Sequence, residues 1–198
     1  MKKYKVILAD PPWSYQDIGM DWTPSKEQRK YYRSVKNHYD VMRIEEICGL
    51  PIESLADDDC ALFLWCTWPH VFLAEKVMNA WGFRYRAIGF VWVKLNPTGM
   101  GFHTGMGWYT RGNSEPCFLA GKGKITPAVR DVSSLLVTPL REHSRKPDEQ
   151  YNKIERLYPD VPKIELFARQ QRPGWDIWGN ELVNTVEYDN EREEWIAK

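Results

Sequence analysis

Six stretches of the chain are short, apolar and rich in β-branched or aromatic residues: Tyr4–Ala9, Ala61–Trp65, Ile88–Val93, Pro116–Ala120, Ser134–Val137 and Lys163–Ala168. Their nearly continuous apolar character predicts strands covered on both faces. Helical patterns lie between them. In Pro69–Trp81, Val71, Ala74, Met78 and Trp81 keep a 3.6-residue period, Phe72, Leu73 and Val77 widen the stripe, and Gly82 supplies a stop. In Lys146–Tyr158, Tyr151, Ile154, Leu157 and Tyr158 share one face, with Pro147 suited to the first turn and Pro159 closing it. Ile44–Cys48 is a shorter helix ended by Gly49 and Pro51. Buried strands alternating with helices predict an α/β fold, an open and mostly parallel sheet with helices on both faces.

Two polar segments interrupt this pattern, Gln16–His38 and the glycine-rich Asn96–Gly112, and loops of such length in a compact domain are usually functional or disordered. Ligands of open α/β sheets gather at the carboxyl ends of strands. Chemistry is therefore expected at Asp10-Pro11-Pro12-Trp13, Cys66-Thr67-Trp68, Lys94-Leu95-Asn96 and Arg169.

Composition narrows the class. A chain of 198 residues with 43% hydrophobic content can bury one substantial core. Its longest apolar run, Cys60–Cys66, is far shorter than the ~20 residues of a membrane span. The apolar run after the N-terminal lysines ends in an acid, so no export signal is read and a cytoplasmic location is expected. Four cysteines without CxxC spacing read as reduced core thiols. Histidines lack i,i+4 pairing and the acids lack ligand spacing, so no metal site is expected. The 27 basic and 27 acidic residues cancel, so contact with a polyanion would be local. Lys26–Lys36 and Lys122–Lys124 are the candidate patches, with a solvated face as the alternative.

Asp10-Pro11-Pro12-Trp13 holds the most informative chemistry. Two prolines fix the backbone and remove donors, leaving a carboxylate, a carbonyl and an aromatic plane at a strand exit. Such acceptors suit an exocyclic amine on a planar ring. If Asp10 and the Pro11 carbonyl take its two N–H groups, the nitrogen is drawn toward tetrahedral geometry while Trp13 stacks on the base. A proline-rich strand exit with a core tryptophan fits the same residues.

Asp10-Pro11-Pro12-Trp13 also matches the DPPW motif of the MT-A family of adenine-N6 methyltransferases, whose founder is the seventy-kilodalton catalytic subunit of the eukaryotic mRNA methyltransferase. Leu62–Trp65 and Val91–Lys94 resemble that family's next strands. Lys146–Glu149, Ile154–Leu157, Lys163–Arg169, Trp175 and Trp178–Asn180 resemble its C-terminal block. The resemblance spans roughly residues 4–182 and implies a Rossmann-like methyltransferase domain over 1–182, followed by an acidic extension at 183–198. It implies S-adenosyl-L-methionine as cofactor and adenine N6 as target, without a metal. Asp10, Pro11, Pro12 and Trp13 would form the catalytic corner. Tyr39, Lys94 and Asn96 would position the target. Asp10, Lys146, Glu165, Phe167, Arg169, Asn180 and Glu181 would bind the cofactor. An ammonium at a helix start opposes the dipole, so a ligand carboxylate is expected at Lys146. The short Arg169–Pro173 stretch leaves Gln171 unassigned. Only nine residues precede Asp10, so Val183–Tyr188 is a candidate to hold the cofactor's adenine, the alternative being an adenine less enclosed. Compact relatives of this type modify DNA, so DNA is the expected substrate. RNA and a non-catalytic nucleic-acid-binding role remain the alternatives. The acidic tail is compatible with a free extension or with a subunit contact in a homo-oligomer.

Overall fold

A computed structural model of the chain describes residues 2–18, 41–105, 109–142 and 145–198. Nine strands and three helices are found among them: β1 (Tyr4–Ala9), α1 (Ile44–Gly49), β2 (Ala56–Trp65), α2 (Val71–Ala80), β3 (Arg84–Leu95), β4 (Ser114–Lys122), β5 (Leu135–Pro139), α3 (Glu149–Leu157), β6 (Lys163–Leu166), β7 (Trp175–Trp178), β8 (Val186–Asp189) and β9 (Glu194–Ala197).

Seven strands form one sheet in the order β5-β3-β4-β2-β1-β6-β7. β1 lies inside it, parallel to β2 (Val6 opposite Ala61) and to β6 (Val6 opposite Lys163). β5 is parallel to β3, and β7 to β6. β4 alone runs the other way, antiparallel to both β2 and β3. The mostly parallel α/β sheet is therefore present, with one reversed strand that the apolar pattern does not reveal.

Alternation along the strands feeds two cores. Ile7, Ala9, Leu62, Leu64, Ile164 and Leu166 face α1 and α2, which contribute Ile44, Ile47, Ala74, Val77 and Met78. Val6, Leu8, Ala61, Phe63, Trp65 and Trp92 face α3, through Tyr151 and Ile154. Helices thus cover both faces, which is why the strands lack polar alternation.

Element ends differ from the pattern in instructive ways. α2 is preceded by a 3₁₀ turn at Trp68–His70, because Pro69 suits the start of a helix but not its interior. α3 starts at Glu149, so Lys146 stands before the helix instead of in its first turn. β6 stops at Leu166 because Phe167 takes a left-handed backbone conformation (φ 60°). The apolar pattern of the sequence does not reveal the short β7, β8 and β9. The last two form an antiparallel hairpin from the acidic tail, pairing Tyr188 with Trp195. Val186 and Trp195 are buried in the α1/α2-side core. Trp195 packs edge-on against Trp178, with ring centroids 5.4 Å apart, and donates its indole N–H to the Pro51 carbonyl at 3.1 Å. Val186 and Tyr188 are thereby used for packing, whereas Val183 of the same stretch is exposed.

Candidate active site

Asp10 leaves β1 at the carboxyl edge of the sheet, and its partly exposed side chain opens onto a cleft. Leu8, Trp65, Lys146, Glu165, Phe167 and Arg169 line that cleft with it. Parallel registry explains the convergence, since β1 and β6 end side by side, with Leu8 opposite Glu165 and Ala9 opposite Leu166. Five of the residues expected from the sequence (Asp10, Lys146, Glu165, Phe167 and Arg169) are thus brought to one place.

The proline corner is tightly locked. The Pro11 carbonyl accepts the Trp13 N–H at 2.9 Å, a three-residue turn, and the Pro12 carbonyl accepts the Met42 N–H at 2.9 Å. Trp13 is 8% exposed, donates its indole N–H to the Trp65 carbonyl at 3.0 Å, and lies 5.5 Å from the His70 ring. The expected stacking plane is therefore a core brace, tying the exits of β1 and β2 together. His70 strengthens that tie. Its Nε2 sits 3.1 Å from the Ser14 carbonyl, so Nε2 carries the proton, and its Nδ1 accepts from Thr67 Oγ1 at 2.7 Å. Burial lowers its pKa, which keeps the ring neutral.

Lys146 does not wait for a ligand carboxylate alone. Its Nζ lies 2.8 Å from Asp10 Oδ2 and 3.2 Å from Glu115 Oε2. Burial opposes the charge on Lys146, but the Asp10 and Glu115 carboxylates outweigh that cost, and its pKa rises. Burial likewise pushes Glu115 up, and Lys146 and then Lys94 overcome it, pulling the carboxyl below its ordinary value. The backbone leading to Lys146 is clamped by Arg141, which bonds the Lys146 carbonyl and grips Asp148 at 2.7 and 3.1 Å. The Arg141 hydrogen bond leads in holding Asp148 down to about 2. The helix dipole is not what selects the partners of Lys146.

Glu165 is buried with both carboxylate oxygens 3.0 and 2.9 Å from the Tyr151 hydroxyl. Burial dominates and pushes its carboxyl up to about 8. One hydroxyl proton cannot satisfy two oxygens, so Glu165 retains acceptor capacity facing the cleft. Phe167 packs edge-on against Trp178 at 5.4 Å, which links the cleft wall to the C-terminal hairpin. Arg169 Nε reaches Glu181 Oε1 at 3.5 Å, while Asn180 is exposed beside it and neither Asn180 nor Glu181 lines the cleft.

Other expected residues are committed elsewhere. Lys94 is ion-paired to Glu115. The Asn96 amide donates to the Met100 carbonyl at 2.9 Å, shaping its own turn. Tyr39 and Lys26–Lys36 lie outside the described residues. Lys122 ends β4 at the edge opposite Ser114, pairing with Glu53 at 3.4 Å. Because β4 is reversed, the Lys122–Lys124 patch is at the far edge of the sheet from Asp10. Glu115, Tyr151, Gln150 and Gln170 were missed. Gln170, not Gln171, enters the cleft, bonding Asp148 Oδ1 at 2.9 Å and the Tyr151 hydroxyl at 3.0 Å. A lone acid heading an apolar strand is the one signal that marked Glu115. Among the described residues no cluster of three or more metal-ligating side chains occurs, and no helix is long and apolar enough to cross a membrane. The four cysteines are free, and burial pushes the Cys66 thiol up to about 12.

A twisted, largely parallel sheet whose cleft gathers acid, ammonium and aromatic groups at the carboxyl ends of β1 and β6 defines the Rossmann-like class. Comparison with known proteins is consistent with this. A family model described as MT-A70 matches residues 4–181, and the chain belongs to that family. It is 35% identical to "Type II methyltransferase M.MunI" of a Mycoplasma species, over 97% of this chain and 84% of that protein. It is 34% identical to "N(6)-adenosine-methyltransferase MT-A70-like protein" of Drosophila melanogaster and to "N(6)-adenosine-methyltransferase catalytic subunit METTL3" of Homo sapiens, over 91% of this chain in both cases. The chain spans only 27% and 28% of the length of those two.

Proposed function

We propose that this protein transfers a methyl group from S-adenosyl-L-methionine to the N6 amine of adenine in DNA. The observation that carries this reading is Asp10. Its carboxylate is held at the cleft through Oδ2 by Lys146, one residue before a rigid proline corner.

It is the chemistry of the lining, not the cleft's volume of about 20 Å³, that matches that cofactor. Asp10 and Glu165 offer acceptors for an ammonium and hydroxyls, Lys146 offers a cation for a carboxylate, and Phe167 offers a ring for a nucleoside face. Asn180 and Glu181 stand near the rim, where Arg169 ties Glu181 to the cleft wall. When bound, S-adenosyl-L-methionine supplies an electrophilic methyl on a sulfonium. The protein's part is to orient the incoming nitrogen. Asp10 Oδ1 accepts one amine N–H. The Pro11 carbonyl has one lone pair engaged by Trp13 and uses the second for the other N–H. With both hydrogens held, the nitrogen lone pair leaves the ring plane. The locked prolines mean that these acceptors need no reorganisation as charge develops. Lys94 and Asn96 contribute through Glu115 and through the turn after β3.

DNA is preferred as the polymer because the chain matches 84% of the type II methyltransferase and about a quarter of the N(6)-adenosine-methyltransferases. The test is methyl transfer from labelled cofactor to matched DNA and RNA oligonucleotides, with N6-methyladenine identified after digestion. Label is expected in DNA. Asp10→Ala is expected to abolish turnover per folded molecule and to lower the thermal midpoint, because Lys94 and Lys146 are left with Glu115 as their one carboxylate in the row. Undiminished turnover in that variant refutes the acceptor role. Preference for RNA replaces the polymer, and cofactor binding without turnover on either polymer makes the protein a non-catalytic member of the family.

A further inference from the structure

Glu115 is the second residue of β4, the reversed strand. Reversal carries the start of β4 to the edge where β2 and β3 end, with Glu115 opposite Trp92. There the side chains of Glu115 and Lys146 are each only 10% exposed. Glu115 Oε1 accepts from Lys94, and Oε2 lies 3.2 Å from the Lys146 ammonium without an aligned hydrogen bond. Lys146 in turn bonds Asp10 Oδ2 at 2.8 Å. Each ammonium also rests over an indole, Lys94 4.9 Å from the Trp92 ring centroid and Lys146 5.6 Å from that of Trp65.

Four buried or part-buried charges therefore alternate in a row: Lys94, Glu115, Lys146, Asp10. They cancel. Without Glu115, two ammonium groups would have Asp10 as their shared counter-charge, and an uncompensated buried charge is costly. Asp10 would be drawn into the ion pair, and the row would gain one net positive charge.

We propose that Glu115 is a positioning residue for methyl transfer: by anchoring Lys94 and Lys146 it leaves Asp10 Oδ1 open to the target amine and keeps the row of charges beside Asp10 balanced toward a cationic cofactor. The inference rests on the S-adenosyl-L-methionine reading above. It says that the protein distinguishes the sulfonium cofactor from its uncharged thioether product partly through a carboxylate that touches neither.

Calorimetric titration with S-adenosylmethionine and S-adenosylhomocysteine tests it, because the two ligands differ by the sulfonium charge. Glu115→Gln should weaken S-adenosylmethionine about tenfold and S-adenosylhomocysteine less than about threefold, with a fall in kcat. Glu115→Asp should restore most of the ratio. Lys94→Met makes the cluster net negative and should move the ratio the other way, so it reads the same effect if Glu115→Gln does not fold. Equal losses for both ligands in Glu115→Gln, or a ratio unmoved in Lys94→Met, overturn the role while leaving the cofactor assignment standing. A wild-type protein that binds neither ligand overturns both.

Discussion

The Glu165 carboxyl offers a prediction whose sign and size can be worked out. It is buried between β6 and α3, touching the Tyr151 hydroxyl, with Asp10 and Asp148 near enough to disfavour its charge. Burial is the largest cause, and the group titrates at about 8 in the folded protein against an ordinary 4.5. A folded pKa above the unfolded value means that its contribution to stability is fully present below about 4.5 and is lost as pH rises toward 8. At about 1.4 kcal/mol per pH unit, that gap is worth on the order of 5 kcal/mol across the window. Glu165→Gln removes the titration and keeps an amide oxygen for Tyr151. Urea unfolding of both proteins between pH 5 and 9 isolates the effect, because other titrating groups cancel in the difference. Relative to wild type, the variant should gain several kcal/mol between those limits, with the steepest change between pH 5 and 8. A difference that stays flat within about 0.5 kcal/mol would refute a neutral buried carboxyl at this position. The same reasoning expects a ligand ammonium placed against Glu165 to draw off its proton, so cofactor binding near pH 7 should release protons, measurable as buffer-dependent heat.

Two further predictions concern stability. Trp195→Ala empties the site between Trp178 and Tyr188 and removes the Pro51 hydrogen bond, so it should cost ~3–5 kcal/mol and lower Tm by roughly 10 °C in a thermal scan, with Trp195→Phe much milder. A change under about 2 °C would show that the hairpin does not support the core. Gly123 holds φ 61° after β4, and a Cβ there would stand 2.2 Å from the Asp58 carbonyl oxygen. Gly123→Ala should therefore cost at least ~1–3 kcal/mol in urea midpoint measurements while turnover per folded molecule is unchanged, since this turn lies at the far edge of the sheet.

The sequence by itself determined the sheet's class, two longer helices and the corner around Asp10. Each of these is a local signal: an apolar run, a 3.6-residue period, two consecutive prolines. The motif match also drew Lys146, Glu165, Phe167 and Arg169 into one site from the far end of the chain, and parallel pairing of β1 with β6 is what makes that convergence physical. Trp13 shows where local reading stops, because whether an indole faces a ligand or a core depends on what packs against it, here His70 and the Trp65 carbonyl. The acidic tail shows the same limit: its charges hide two residues, Val186 and Trp195, that matter only once Trp178 and Pro51 are there to receive them. Tertiary structure alone decided the direction of β4. Strand polarity leaves no trace in an apolar run, yet reversing this one strand sets Glu115 between two lysines at the site and carries Lys122 to the opposite edge.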